Sequence, residues 1–326
     1  VLAKKWVLTM IATTVVVGSV VGALALRHQP AGRITEFSMP KPGSAPIMIT
    51  GGPDGNLWFT EAAGRRIGRI TLSGDITEFP LPTGIGPYGI TAGPDGNLWF
   101  AEYDSNQIGR ITPTGTVTEF AIPTPNSQPV WIVAGPDKNL WFTEANGNKI
   151  GRITLDGTIN EFPIPTPASR PLVMAAGPDG NLWFVQNNSN QIGRMTPNGI
   201  FKEFPVPTFG SGLIGIGDGP DGNLWFTESD SNKMGRITPT GGITEFAVSG
   251  PTRGFEHQLA IGPDGNLWFI EYTADKIGRM TPTGTLTEFS VPTPNSIPSG
   301  IVAAPDGNLW FTERDGNKIG KITTGN

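Results

Sequence analysis

The chain has 326 residues, 45 of them Gly and 31 Pro, so nearly a quarter of it interrupts regular elements and a fold built on long helices is excluded. Twenty-three basic against 28 acidic residues leave a net charge of -5, which argues against a domain that binds nucleic acid by neutralising phosphates. With no cysteine, a disulfide framework, a thiolate metal site and a cysteine nucleophile are also ruled out.

Lys4 and Lys5 precede an uncharged apolar stretch, residues 6–26, which Arg27 and His28 close. A spanning helix needs about 20 residues and a signal-peptide apolar region about 7–15, so length favours an uncleaved anchor. The small-residue pattern Ala23-Leu24-Ala25 favours cleavage instead. Either way the lysines stay in the cytoplasm and the rest is extracytoplasmic, membrane-anchored or secreted. Residues 1–30 are read as anchor or signal with a short linker, and residues 31–326 as a separate unit, expected to be a monomer.

From there on, one unit recurs. Trp-Phe pairs begin at Trp58, Trp99, Trp141, Trp183, Trp225, Trp268 and Trp310, spaced by 41, 42, 42, 42, 43 and 42 residues. A Gly-Arg or Gly-Lys ladder ends at Arg69, Arg110, Arg152, Arg194, Arg236, Arg279 and Lys321, and a Glu-Phe ladder runs from Phe37 to Phe289 with the same spacing. Within residues 88–122, apolar runs at 88–92, 98–102, 107–112 and 116–122 are separated by Gly-Pro-Asp-Gly-Asn and Pro-Thr-Gly turn chemistry. Four antiparallel strands in about 42 residues make a propeller blade, and seven copies predict an all-β, seven-bladed β-propeller.

First strands rich in small apolar residues suit the crowded axis, and fourth strands bearing Pro suit an exposed rim. The tryptophans are expected to fill the spaces between blades. The first copy opens with only a fourth strand, residues 33–37, and the last stops after a third. One blade is therefore expected to be completed by both ends of the chain.

Scaffold repeats in every blade, so the informative positions are those where one blade departs. The column that begins the first strand reads Ile47, Tyr88, Val130, Leu172, Ile214, His257 and Ser299. The column before it reads Pro46, Pro87, Pro129, Pro171, Leu213, Glu256 and Pro298, and blade six has one extra residue, assigned to 249–253. Hairpin counting places His257 opposite Glu271, to within one position. Tyr88, Gln128, Trp131, Arg170 and Arg253 lie near first-strand starts and are candidates for the pocket mouth. Glu61, Glu102, Glu144, Glu228, Glu271 and Glu313 recur too often to be read as a site and suggest a structural bond, with the third-strand Arg as partner. The plain alternative for Glu256 and His257 is a solvated, enlarged loop.

The run Gly-Pro-Asp-Gly-Asn-Leu-Trp-Phe-Thr-Glu, with Asn-Lys-Ile-Gly-Arg-Ile-Thr and Ile-Thr-Glu-Phe, resembles the blades of the virginiamycin B (streptogramin) lyases from about residue 33 to 326. That resemblance implies a carbon–oxygen lyase that opens a cyclic depsipeptide by metal-assisted β-elimination, normally with Mg2+. It makes His257 the proton-abstracting base, with Glu256 and Glu271 as metal ligands. Alignment on the tryptophan points to Tyr272 in place of Glu271. Tyr88, Trp131, Arg170, Arg253, Ser299 and Tyr272 are then candidate substrate contacts. The chain departs from the family at Phe255, where a metal-binding Glu is expected, and at Ile214, where a second histidine is expected. A non-catalytic extracellular propeller that binds a peptide, glycan or cell-wall ligand on the same face is the second reading.

Overall fold

Each Gly-Pro-Asp-Gly-Asn turn holds its own tryptophan. In the computed structural model, which describes residues 30–83, 86–248 and 254–325 and only the backbone of Phe255 and Glu256, Asp54 accepts hydrogen bonds from Asn56 N at 3.2 Å and Trp58 Nε1 at 2.9 Å. Gly52 opens the turn because a Cβ there would lie 2.3 Å from the Trp58 ring. The apolar segment at 6–26 lies outside the described residues. Among the described residues no helix is long and apolar enough to cross a membrane.

The turns separate short strands that form seven four-stranded antiparallel sheets among the described residues. Blade one runs through Pro46–Gly51, Leu57–Glu61, Arg66–Ile70 and Ile76–Pro80, and the other blades repeat this plan. Pairing sets Trp58 opposite Arg69, and the guanidinium lies 5.6 Å from the indole centroid and 3.6 Å from Asp54. The repeated arginine therefore pairs with the turn aspartate. The expected partnership with the buried glutamate is corrected by register: Glu61 stands opposite Arg66, three residues along the strand from Trp58's row, and bonds it at 2.9 Å.

All seven Trp-Phe tryptophans are fully buried, each against the Glu-Phe phenylalanine of its own blade, stacked in six as in Trp58–Phe79 at 5.3 Å and tilted by 33° in Trp141–Phe162. The phenylalanine ring also fills the place that a side chain on the next blade would take: a Cβ on Gly74 of blade one would lie 2.3 Å from Phe37 of blade seven. One buried tryptophan hides about 150–250 Å2, so this inter-blade layer is a main source of cohesion.

Ring closure follows the expectation. Ile34–Ser38 pairs with Lys318–Thr323, giving the last blade the order first-chain strand, third, second, first. First strands of neighbouring blades pack side by side around the axis, and fourth strands form the rim. Segments between blades are tied down by the Glu-Phe glutamates, as where Glu161 accepts from Thr124 N at 3.1 Å and Thr124 Oγ1 at 2.9 Å.

Every first strand bulges against the second. In blade one Pro46 pairs with Glu61 and Ile49 with Phe59, so three steps on one strand match two on the other. In blade six Phe255 pairs with Glu271 and Leu259 with Phe269, four steps against two. The extra residue of blade six thus sits inside the strand Phe255–Ile261, and its assignment to residues 249–253 is corrected; those residues lie outside the described set. Glu256 is the inserted residue and Phe255 the counterpart of the proline. Glu271 faces Phe255 and not His257, because the bulge absorbs the residues that simple hairpin counting had paired.

Candidate active site at the channel mouth

The bulges bring one residue from the first strands of blades two to six to one end of the ring, where a cavity of about 340 Å3 opens. Val130, Leu172 and Ile214 supply apolar wall from blades three, four and five. Tyr88 comes from blade two and His257 from blade six, so the two rings meet across the mouth. The Tyr88 hydroxyl lies 3.3 Å from His257 Nε2 and 3.4 Å from Nδ1, with ring centroids 5.3 Å apart and planes at 79°. His257 is therefore a half-buried strand residue facing a cavity, which replaces the reading of it as part of a solvated loop.

Arg170 is the single lysine or arginine among the described residues lining the cavity. Its Nη1 donates to Asn187 Oδ1 at 3.4 Å, and Asn187 Nδ2 donates to the Leu213 carbonyl at 2.8 Å, so blade four carries the cation and anchors to blade five. Tyr103 and Asn187 were missed by sequence reasoning. Both occupy the position after the second-strand Glu or Gln, a column reading Ala62, Tyr103, Ala145, Asn187, Ser229, Tyr272 and Arg314. That column breaks the repeat as plainly as the first-strand column does.

Other sequence candidates lie elsewhere. Trp131 is 7% exposed and packed in the core, and Ser299 is buried with its hydroxyl donating to the Ile297 carbonyl at 3.2 Å. Tyr272 starts a short 3-10 turn, Tyr272–Ala274, and packs against the blade six and seven core. Glu271 is fully buried inside its blade: a Cβ on Gly278 would lie 2.9 Å from its Oε1. Arg253 falls outside the described residues, as does the side chain of Glu256.

The recurrent glutamates share Glu271's interior position, and burial pushes them upward in pKa. Glu144 rises from 4.5 to about 8, through burial first and the facing Glu161 carboxylate second, while Lys149 and Ser127 pull the other way. Glu102, Glu228 and Glu313 rise to about 7, with burial again the largest cause. These groups belong to the blades and not to the cavity.

A model of the virginiamycin B lyase family matches residues 12–210 and 166–326. The chain belongs to that family. Virginiamycin B lyase from Staphylococcus aureus is 41% identical, with a TM-score of 0.85 over 89% of this chain and 99% of that one. A catalytically inactive His-to-Ala variant of the same enzyme, solved with quinupristin, gives the same identity, score and coverage. Against virginiamycin B lyase from Bordetella pertussis (strain Tohama I) the likeness is local, 47% over 49 residues, or 15% of this chain and 16% of that protein. Family membership accounts for the blade sequence and the ring.

Proposed function

We propose that this lyase-family chain opens a cyclic ester peptide of the streptogramin B class by β-elimination at the cavity between Tyr88 and His257. The observation that carries the proposal is the placement of His257, the one blade-six imidazole, on the cavity wall in contact with a phenol from across the ring. The S. aureus relative solved with quinupristin is catalytically inactive with one histidine replaced by alanine, which supports a histidine-dependent reaction.

Neutral His257 would take the proton from the carbon α to a carbonyl. The electrons of that C–H bond form the Cα–Cβ double bond, the Cβ–O bond breaks, and the ester leaves as a carboxylate while the imidazole holds the proton. Negative charge builds on the carbonyl oxygen as the proton departs, and Arg170 is the fixed positive group available to it. Tyr88 orients the imidazole. A cavity of 340 Å3 is at the small end for ligand sites, so a macrocycle inserts one edge and rests the remainder on the open face.

Magnesium, implied by the resemblance, does not fit the described donors. No group of three His, Asp or Glu side chains among the described residues is arranged to hold a metal, no described cavity residue is a carboxylate, and Glu271 is enclosed in its blade. The steps above therefore use only the chain's own groups. The same lack of a described cavity carboxylate favours a binding propeller as second reading. The apolar residues 6–26 support placing the propeller outside the cytoplasm, which protease accessibility in intact cells would test.

The deciding experiment incubates the protein with quinupristin, with magnesium and with EDTA, and follows the product by mass spectrometry. Elimination yields a linear product of unchanged mass. A product heavier by one water rejects elimination, and binding without conversion under either condition supports the second reading.

A further inference from the structure

We infer that Gln258 is a positioning residue that holds His257 at the cavity by bonding the blade-six bulge to blades seven and one. The inference rests on the lyase reading for its catalytic consequence and on the hydrogen bonds of the ring for its structural part.

In four blades the bulge is pinned by a threonine of the second strand. Met48, Trp131, Gly215 and Gly300 donate their backbone N–H to Thr60, Thr143, Thr227 and Thr312 Oγ1 at 3.2, 3.1, 2.7 and 2.8 Å. The hydroxyl then donates onward to the next blade, as in Thr60 to the Tyr88 carbonyl at 2.9 Å, Thr143 to Leu172 at 2.6 Å and Thr312 to Ile47 at 2.5 Å. This relay locks each bulge and the neighbouring first strand into one arrangement.

That position is Ala101 in blade two, Val185 in blade four and Ile270 in blade six, so blade six lacks the hydroxyl where the bulge is one residue longer. Gln258, on the bulge itself, instead ties the bulge outward to two other blades. Its Nε2 donates to the Ile49 carbonyl of blade one at 2.8 Å, and its Oε1 accepts from Ile301 N of blade seven at 3.1 Å. A glutamine amide presents its donor and its acceptor on separate atoms, so one side chain reaches two partners at once. Room for it comes from Gly300, where a Cβ would lie 2.6 Å from the Ile47 carbonyl and 2.9 Å from Gln258 Oε1. With one bulge side chain fixed at two points on neighbouring blades, the peptide units carrying the adjacent His257 cannot rotate, and the imidazole stays against Tyr88. A displacement of about 1 Å in a reacting group can lower a rate about 10²-fold, so anchoring of this kind is kinetically consequential.

The test uses the full chain with labelled histidine and tyrosine, of which it has two and three. In the wild type a nuclear Overhauser contact joins the His257 and Tyr88 rings, assigned by its absence from His257→Ala. Gln258→Leu is expected to lose this contact and to lower kcat on the streptogramin substrate at least about tenfold with KM within about threefold. Gln258→Glu keeps the acceptor for Ile301 N and loses the donor to Ile49, so it should show a partial loss of both readouts; it also serves if the leucine variant does not fold. Thr312→Val breaks the relay at the seam between blades seven and one, and should lower the melting temperature without moving either readout. A folded Gln258 variant that keeps the ring contact overturns the inference, and so does an equal loss of contact and kcat in Thr312→Val. If the wild type converts no substrate, the functional reading fails, while the ring contact still decides the role of Gln258.

Discussion

His257 could be picked out in the sequence because six blades have Ile, Val, Leu, Tyr or Ser where it stands. Its chemistry depends on neighbours that are distant along the chain, above all Tyr88, 169 residues away. A positioned general base typically contributes 10²–10⁴-fold, so His257→Ala should lower the elimination rate by at least about 10², measured as linear product per enzyme; near-wild-type turnover removes His257 from the mechanism. Tyr88→Phe keeps the ring and deletes the hydroxyl, and a loss of about fivefold in kcat is expected if the phenol orients the imidazole, because a hydrogen bond of about 1 kcal/mol net is withdrawn. Unchanged kcat would leave Tyr88 as wall only. Glu271 illustrates the opposite case, a residue type that suggested a ligand and a location, inside the blade, that serves packing.

At the scale of the strand, what counting could not supply was the bulge. Regular hairpin pairing predicts His257 opposite Glu271, and a bulge in every blade moves the glutamate's partner by one residue, and by two in blade six. The repeated buried glutamates also act as elements. Gln186 stands in the glutamate column of blade four and donates from Nε2 to Glu203 Oε1 at 2.8 Å, showing the bond that a protonated glutamate would make to its facing carboxylate. Glu144 has its pKa raised to about 8. Below about pH 4.5 both folded and unfolded chains hold this proton; between 4.5 and 8 the unfolded chain ionises first and stability falls with rising pH; above 8 the penalty is constant. Glu144→Gln should therefore raise the melting temperature at pH 9 by roughly 4 °C or more and change it little at pH 4.5, whereas Gln186→Glu should lower it at pH 9. Thermal melts across that range check both; equal shifts at the two pH values would contradict a protonated Glu144.

For the ring as a whole, the decisive element is the one that closes it. Ile34–Ser38 supplies the rim strand of the last blade, and Glu36 bonds Lys318 at 2.7 Å and Thr293 Oγ1 at 2.9 Å. Deleting residues 33–38 exposes the edge of the third strand and removes Phe37 from Trp310, with which it stacks at 5.2 Å. Loss of one buried aromatic typically costs about 3–5 kcal/mol, and the melting temperature should fall by roughly 5 °C or more in a scanning calorimeter, with aggregation through the open edge. An unchanged transition would mean that closure contributes nothing to stability.

By itself, the sequence determined the number of blades, the strand order within each, the residues that close the ring and the column in which the exceptional histidine falls. All of these follow from local chemistry repeated at a constant period: a Pro-Asp-Gly turn, a buried Trp, a strand of alternating burial. The tertiary structure alone decided which side chains meet. Seven bulges set the register between first and second strands, the extra residue of blade six lies within one of them, and the ring brings His257 of blade six to Tyr88 of blade two. No period in the chain encodes that meeting, because it depends on the angle through which each blade turns about the axis and on how Gln258 bonds the widened bulge to its neighbours.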